Sequence, residues 1–169
     1  MPKDNISKEI ESKFGNQLRM RVNGILMQNE KILMIKHLMG NDRILWSVPG
    51  GGMQFGQNAT SNLIREFEEE TGLTVAVQDY LFVHEYFNHP LHALEHFFSV
   101  KWISGDLKLG TDPELNPENQ IIDEIRWMSL KDIHSLPQNS LHQIFWGIKS
   151  LDALGLYKGY FNFENISIK

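Results

Sequence analysis

The chain has no cysteine among its 169 residues. This absence excludes a disulfide framework, a thiolate zinc site and a cysteine nucleophile. Its apolar runs are much shorter than the roughly 18 residues that a membrane-spanning helix needs. The charged segment 3–13 does not fit the hydrophobic region of a signal peptide. We therefore expect a soluble cytoplasmic protein with no membrane partner.

Basic residues are also few, with 16 Lys+Arg against 21 Asp+Glu and a formal net charge of −5. A protein that binds the backbone of DNA or RNA presents a basic stripe, so we expect no nucleic-acid polymer as partner. A small anionic substrate stays compatible with this charge if a divalent cation lies between it and the protein. The apolar content of 41% is enough for a core, and the length favours a single domain over residues 1–169.

Apolar periodicity, turn residues and glycines predict an alternation of strands and helices. We expect a helical extension in 1–17, strands at 18–28, 31–37, 44–48, 73–86 and 92–103, a helix from an N-cap at Thr60 to Thr71, and a strand ending at Met128. Two helical stretches are expected near 129–135 and 139–153, so that 139–169 forms a C-terminal helix and an ill-defined tail. Residues 49–52, Pro-Gly-Gly-Gly, are expected to form a loop. Mostly antiparallel strands with inserted helices predict the α+β class, a mixed sheet flanked by helices.

Three glutamates are expected on one face of the central helix. At about 100° per residue, Glu69 and Glu70 lie about 60° and 40° to either side of Glu66. Like charges at these spacings destabilise a helix by about 0.2–0.5 kcal/mol per pair. A divalent cation would offset this repulsion, whereas a solvated acidic face is the alternative for the glutamates alone. The preceding glycines favour the cation, because they let backbone approach a ligand closely.

Segment 51–73 resembles the Nudix box, a glycine-led motif that ends in Arg-Glu-aliphatic-x-Glu-Glu-x-Gly-aliphatic. Here the second half is REFEEETGL, residues 65–73, with Phe67 at a position that is usually aliphatic. Gln57 stands where the box has its first glutamate, and Gln54 where many members carry one. Residues 46–115 look most similar to MutT-like and ADP-ribose pyrophosphatase-like nucleotide pyrophosphohydrolases. The resemblance implies a Nudix-type α/β/α sandwich.

The resemblance also implies Mg²⁺-dependent (or Mn²⁺-dependent) hydrolysis of the pyrophosphate bond in a nucleoside diphosphate linked to another moiety. That moiety is left open among a nucleotide sugar, ADP-ribose and a (d)NTP, and a nucleoside monophosphate is released. By resemblance the metal ligands are the Gly50 carbonyl, Glu66, Glu69 and Glu70, with Glu66 or Glu69 as the general base and Arg65 orienting the carboxylates. Further candidates for the substrate site are Gly51, Arg43, Glu114 and Glu118. Either of the last two is an alternative base, or a solvated loop glutamate. Many relatives are homodimers, so a homodimer is one expectation, while the oligomeric state itself is left open.

Gln57 is the departure that bears on activity. In the family the first glutamate braces the box arginine, here Arg65. A glutamine can accept one hydrogen bond from a guanidinium but loses the charge-assisted bidentate pairing. A weak or inactive nucleotide-binding sensor of the same fold is therefore the alternative hypothesis, while the intact set of three glutamates favours an enzyme.

Other residues allow two interpretations each. The four clustered histidines offer a transition-metal site, contacts with substrate phosphate or ribose, or simply exposed side chains near turns: His84, His89, His92 and His96. Four aromatic residues offer stacking on a base or simple core packing: Trp46, Phe55, Tyr86 and Phe87. The candidates for a phosphate or carboxylate clamp are Arg19, Arg21 and Arg43. Loops 38–45, 86–92 and 110–119 are expected to select the substrate.

Overall fold

The computed structural model describes residues 2–162. Over these residues the chain forms four α-helices and nine strands. In chain order they are α1 (Pro2–Phe14), β1 (Leu18–Ile25), β2 (Met27–Gln28), β3 (Lys31–Leu38), β4 (Ile44–Ser47), β5 (Gly50–Gly52), α2 (Ala59–Thr71), β6 (Thr74–Asn88), β7 (Leu91–Ser104), β8 (Ile122–Met128), α3 (Leu130–His134), α4 (Ala153–Leu156) and β9 (Gly159–Asn162). The α+β class is confirmed.

The strands form two sheets. The first has the order β5-β1-β7-β6-β9, in which β1 pairs parallel with β7 and β6 pairs parallel with β9, while the other pairs are antiparallel. In the second sheet, β2 and β4 pair antiparallel along one edge of β3, and β8 pairs antiparallel along the other. The predicted single strand 18–28 is therefore wrong: the chain crosses from the first sheet to the second at Leu26, whose carbonyl accepts a hydrogen bond from Leu33 N at 3.0 Å.

Helix α2 packs on the first sheet through the apolar arc that its sequence predicts. Leu63 and Phe67 are fully buried with Val22 and other strand residues. The ring of Phe67 occupies the space that a Cβ on Gly24 would need. An aromatic residue fits at this usually aliphatic position because the strand beneath it has no side chain there.

The predicted helix over 139–153 is wrong. The segment contains two short 3₁₀ turns, Gln138–Ser140 and Gln143–Phe145, and only α4 near its end. Gly147 has a φ of 71°, which interrupts a right-handed helix. The His142 amide donates instead to the Trp46 carbonyl at 2.9 Å, and the segment adds Ile144 and Phe145 to the core.

Three local predictions also need correction. The N-cap of α2 is Asn58, whose Oδ1 accepts from Ser61 N, while Thr60 lies in the first turn and donates its hydroxyl to the same oxygen. Residues 50–52 form strand β5 rather than a loop. The tail contains β9 up to residue 162, and its remainder lies outside the described residues. Among residues 2–162, no helix is long and apolar enough to span a bilayer.

Candidate active site

The glycines of β5 allow this strand to lie directly against two neighbours. A side chain on Gly50 would overlap the Val22 carbonyl of β1, and one on Gly51 would overlap the carboxylate of Glu66. Gly50 N donates to Glu70 Oε2 at 3.0 Å. The sequence therefore requires glycine here for close approach to strand and carboxylates, and not for a left-handed backbone.

Asn62 fixes the same strand to α2 and was missed by the sequence analysis. Its side chain is fully buried, and its Nδ2 donates to the Gly52 carbonyl at 3.1 Å. Its Oδ1 accepts from Gln54 N at 2.9 Å and from Arg65 Nη2 at 3.1 Å. In the sequence, Asn62 is recognisable only as a polar residue next to the apolar arc of the helix. That position does not indicate its hydrogen-bond partners.

Arg65 holds the other side chains of the box. Its Nη2 donates to Glu66 Oε1 at 2.9 Å, and its Nη1 donates to Glu69 Oε2 at 2.8 Å. Its Nε donates to Gln57 Oε1 at 3.1 Å. Gln57 thus makes the single hydrogen bond that the sequence analysis expected of a glutamine at this position, and the guanidinium is braced without the glutamate.

The glutamates differ in their surroundings. Glu66 and Glu70 are buried, whereas the Glu69 carboxylate is partly exposed and turned toward Arg65. Burial raises the pKa of Glu66 to about 7, a shift that Arg65 opposes and Glu69 reinforces. Burial, together with the charge of Glu66, also raises the pKa of Glu70 well above its ordinary value. Two buried carboxylates with raised pKa values form an oxygen-rich donor set suited to a hard divalent cation.

A cavity borders these groups. Its wall contains the glycines of β5, Glu66, Glu70 and Glu114. Arg19 and Arg21 also line it, whereas Arg43 is an exposed residue outside its wall. Burial and the charge of Arg21 lower the pKa of Arg19 to about 10. Glu118 lies on an exposed 3₁₀ turn away from the cavity wall. The structure therefore brings Glu114 to the box glutamates but not Glu118 or Arg43.

Helix α1 forms part of the same wall through Ile10 and Phe14. Ile10 packs with Leu115 and Ile121, and Lys13 Nζ donates to the Glu114 carbonyl. The Phe14 ring lies 4.1 Å from the guanidinium carbon of Arg19. The sequence predicted the helix but gave no sign that it encloses the site.

The clustered histidines do not form one site. His92 pairs with Glu85 at 2.7 Å, His96 contacts the Tyr80 hydroxyl at 3.0 Å, and His89 is exposed. Among the aromatic candidates, Tyr86 lines the cavity and Trp46 is in the core. The remaining two, Phe55 and Phe87, are exposed side chains outside the wall of this cavity.

His84 belongs instead to a buried group with Glu95 and His142, whose ligand atoms lie within 4.8 Å of one another. His142 Nε2 is 2.7 Å from Glu95 Oε1, and His142 Nδ1 accepts a hydrogen bond from Ile144 N at 3.2 Å. A metal-bound histidine normally donates its second ring nitrogen, whereas this one accepts. The group is therefore a hydrogen-bonded network in which His142 donates to Glu95, and it does not have the arrangement of a metal site.

Comparison with known proteins agrees with this geometry. The profile of the NUDIX domain matches residues 17–146. An ADP-ribose pyrophosphatase of Methanocaldococcus jannaschii is 32% identical over 93 residues, which are 54% of this chain and 55% of that protein. The chain spans between 36% and 55% of the length of the curated relatives it matches.

Two solved structures illustrate the similarity of fold. An ADP-ribose pyrophosphatase of Streptococcus suis 89-1591 is 23% identical with a TM-score of 0.57, over 85% of this chain and 98% of that one. A UDP-X diphosphatase is 19% identical with a TM-score of 0.62, over 94% of this chain and 74% of that one. At these identities the likeness concerns the fold alone. With Glu66 and Glu70 in the wall of one cavity and most of its length matched by the domain profile, the chain belongs to the NUDIX family.

Proposed function

We propose that this protein hydrolyses the pyrophosphate bond of a nucleoside diphosphate linked to another group and releases a nucleoside monophosphate. The carrying observation is that the buried carboxylates of Glu66 and Glu70 lie against a bare glycine strand in the wall of a cavity. In this proposal Mg²⁺ or Mn²⁺ is held by the Gly50 carbonyl together with Glu66, Glu69 and Glu70. These oxygen donors suit hard cations, which protein carboxylates share with substrate phosphates.

The bound cation would neutralise the diphosphate and lower the pKa of an attacking water. The chain's own residues prepare the site for this. Arg65 fixes the rotamers of Glu66 and Glu69 through its two ion pairs, and Gln57 and Asn62 hold Arg65 in turn. Strand β5 carries no side chains, so phosphate oxygens can reach its backbone.

The general base is proposed among three glutamates that the chain brings to the site or its border: Glu66, Glu69 and Glu114. A base must come within about 2.6–3.2 Å of the water, or one water further away. Glu114 is kept as a candidate because it lines the cavity, which Glu118 does not.

The substrate class is proposed from the relatives' names. The ADP-ribose pyrophosphatase of Methanocaldococcus jannaschii, 32% identical over the matched region, supports a nucleoside diphosphate carrying a sugar-like group, and (d)NTPs stay among the substrates to be tested. The expected homodimer and cytoplasmic location stay predictions. Light scattering of the purified chain tests the first, and fractionation of cells tests the second.

The decisive experiment measures nucleoside monophosphate released from ADP-ribose, nucleotide sugars and (d)NTPs, with and without Mg²⁺ or Mn²⁺. We expect Glu69→Gln to lower cation-dependent turnover at least about 100-fold, the scale seen when one charge-stabilising group is removed from a site. Glu68→Gln is the matched control, because it makes the same change on the same helix at an exposed position. It should keep turnover within about twofold.

The alternative hypothesis of a nucleotide sensor rests on Gln57 and predicts binding without hydrolysis. If calorimetry detects nucleotide binding with Mg²⁺ present but no monophosphate appears from any substrate, the protein is a sensor and the proposed hydrolysis is refuted. A Glu69→Gln variant as active as the parent would refute the assignment of the box carboxylates.

A further inference from the structure

A row of paired residues crosses the first sheet from the glycine strand. Gly52 of β5 pairs with Arg21 of β1, Arg21 pairs with Glu95 of β7, and Glu95 pairs with His84 of β6. Neighbouring strands lie about 4.8 Å apart, and paired residues project from the same face. Glu95 therefore lies about 10 Å from β5 across the sheet. Both belong to the wall of one cavity.

Glu95 is a buried acceptor with one oxygen already bound. Its Oε1 lies 2.7 Å from His142 Nε2 and 3.3 Å from His84 Nδ1. Although burial opposes ionisation, the proximity and hydrogen bond of His142, the bond from His84 and the charge of Arg21 lower the pKa of Glu95. The carboxylate is thus ionised at neutral pH and accepts only.

The second carboxylate oxygen of Glu95, Oε2, can accept further hydrogen bonds. Its nearest charged neighbour is Arg21, whose Nε lies 3.9 Å from Oε2, beyond hydrogen-bond distance. Arg21 Nε is itself a buried donor with no hydrogen-bond partner among the described residues. An ionised oxygen and an unused donor thus face each other in the wall of the cavity. Buried polar groups in this state are uncommon, and a ligand in the cavity would supply the missing partners.

We propose that Glu95 and Arg21 form the subsite for the neutral part of the substrate, where Glu95 Oε2 accepts from a pair of neighbouring N–H or O–H donors and Arg21 Nε donates to an adjacent acceptor. This inference rests on the proposed function, because it adds a recognition subsite to the proposed diphosphate site. Two parts of a nucleotide carry this chemistry: the Watson–Crick edge of guanine and the diol of a ribose. His142 and His84 act as positioning residues, since they hold Oε1 and so aim Oε2.

Binding of monophosphates tests the inference independently of hydrolysis, because these ligands contain no pyrophosphate bond. Calorimetry with Mg²⁺ present compares guanosine 5′-monophosphate, adenosine 5′-monophosphate, ribose 5-phosphate and inorganic phosphate on the parent and on Glu95→Gln. The control is Glu124→Gln, which makes the same change to a carboxylate that accepts from an arginine, and neither residue of that pair belongs to the cavity wall. It should leave every affinity unchanged.

If the guanine edge is the ligand, Glu95→Gln weakens the guanosine nucleotide at least about tenfold and leaves ribose 5-phosphate unchanged. If the diol is the ligand, it weakens both nucleotides and ribose 5-phosphate alike. The inference is overturned if the variant affects no ligand, if it affects inorganic phosphate equally, or if no monophosphate binds the parent.

A test on the unmodified protein covers the case in which Glu95→Gln fails to fold. Removing an N–H or O–H donor from the ligand should weaken binding in the same way as removing the carboxylate acceptor of Glu95 from the protein. Inosine 5′-monophosphate lacks the guanine amino group, and 2-deoxyribose 5-phosphate lacks one hydroxyl. We expect one of two differences in affinity for the parent protein, each at least about tenfold. Either inosine 5′-monophosphate binds more weakly than guanosine 5′-monophosphate, or 2-deoxyribose 5-phosphate binds more weakly than ribose 5-phosphate. Equal affinities in both comparisons would contradict the assignment, whether or not the protein hydrolyses any substrate.

Discussion

Replacing Asn62 by alanine should damage both the stability of the protein and its active site. The side chain ties the Gly52 carbonyl, the Gln54 amide and Arg65 together at one buried point. In Asn62→Ala, Arg65 keeps its pairs with two glutamates. The carbonyl and the amide lose their partner, and the strand loses its direct link to α2.

The size of the effect follows from these lost partners. A buried polar group left unpaired costs about 1–3 kcal/mol. The Gly52 carbonyl is buried, whereas the Gln54 amide is partly exposed and recovers some solvation. We therefore expect a loss of about 2–4 kcal/mol in the free energy of unfolding. For a chain of this length each kcal/mol shifts Tm by about 2–4 °C, so Tm should fall by about 4–16 °C.

The assay is thermal unfolding by circular dichroism, together with turnover on the best substrate. Asn58→Ala is the matched control, because it makes the same substitution at the exposed N-cap of the same helix. Loss of this N-cap should lower the free energy of unfolding by about 1 kcal/mol without removing a link to β5. Asn62→Ala should lower turnover at least about tenfold below that control. If both variants lower Tm equally and Asn62→Ala keeps full turnover, the assigned role of this side chain is wrong.

Three further substitutions test the bond between Gln57 and Arg65, the packing of Phe67 on Gly24, and the raised pKa of Glu66. Gln57→Glu adds a charge-assisted bond to Arg65 and should raise the free energy of unfolding by about 1 kcal/mol, measured by urea titration; an unchanged midpoint would show that the existing bond is sufficient. Gly24→Ala places a methyl group against the Phe67 ring and should destabilise the protein by about 1–3 kcal/mol, and Gly24→Ala with Phe67→Leu should recover part of that loss. Glu66→Gln should change the pH dependence of stability in metal-free buffer. The folded-state pKa of Glu66 is about 7 against an ordinary 4.5, so its stabilising contribution is complete below about pH 4.5 and lost as the pH rises through about 7. The Tm of Glu66→Gln relative to the parent should therefore rise between pH 5 and pH 8, and a constant difference would contradict the raised pKa.

The box helix was predictable because its determinants are local. The apolar arc of Leu63 and Phe67 and the terminating Gly72 act within a few residues of one another, and the structure confirms the helix to Thr71. Strand β5 was not predictable from propensity, because glycine disfavours strands and only pairing with β1 places it in the sheet. The same limit applied to the 139–153 segment, where a contact with Trp46 replaces helical bonds.

The residues of the site also fall into a group with local determinants and a group that depends on distant contacts. The carboxylates and Arg65 follow from a spacing of a few residues. Glu95 and His142 are 47 positions apart, and no local pattern connects them. Such groups meet only after the sheets have formed. The sequence therefore predicts the residues of the box more directly than the groups that lie beside them.

Helix α1 has a practical consequence for how the boundaries of this protein are drawn. The domain match begins at residue 17, whereas Ile10 and Phe14 line the cavity. A fragment trimmed to the matched region would keep every box residue yet lose one wall, the apolar cover of Ile121 and the ring beside Arg19. The unit defined by homology is thus smaller than the unit that encloses a ligand. A comparison limited to the matched region therefore leaves out residues of the cavity wall.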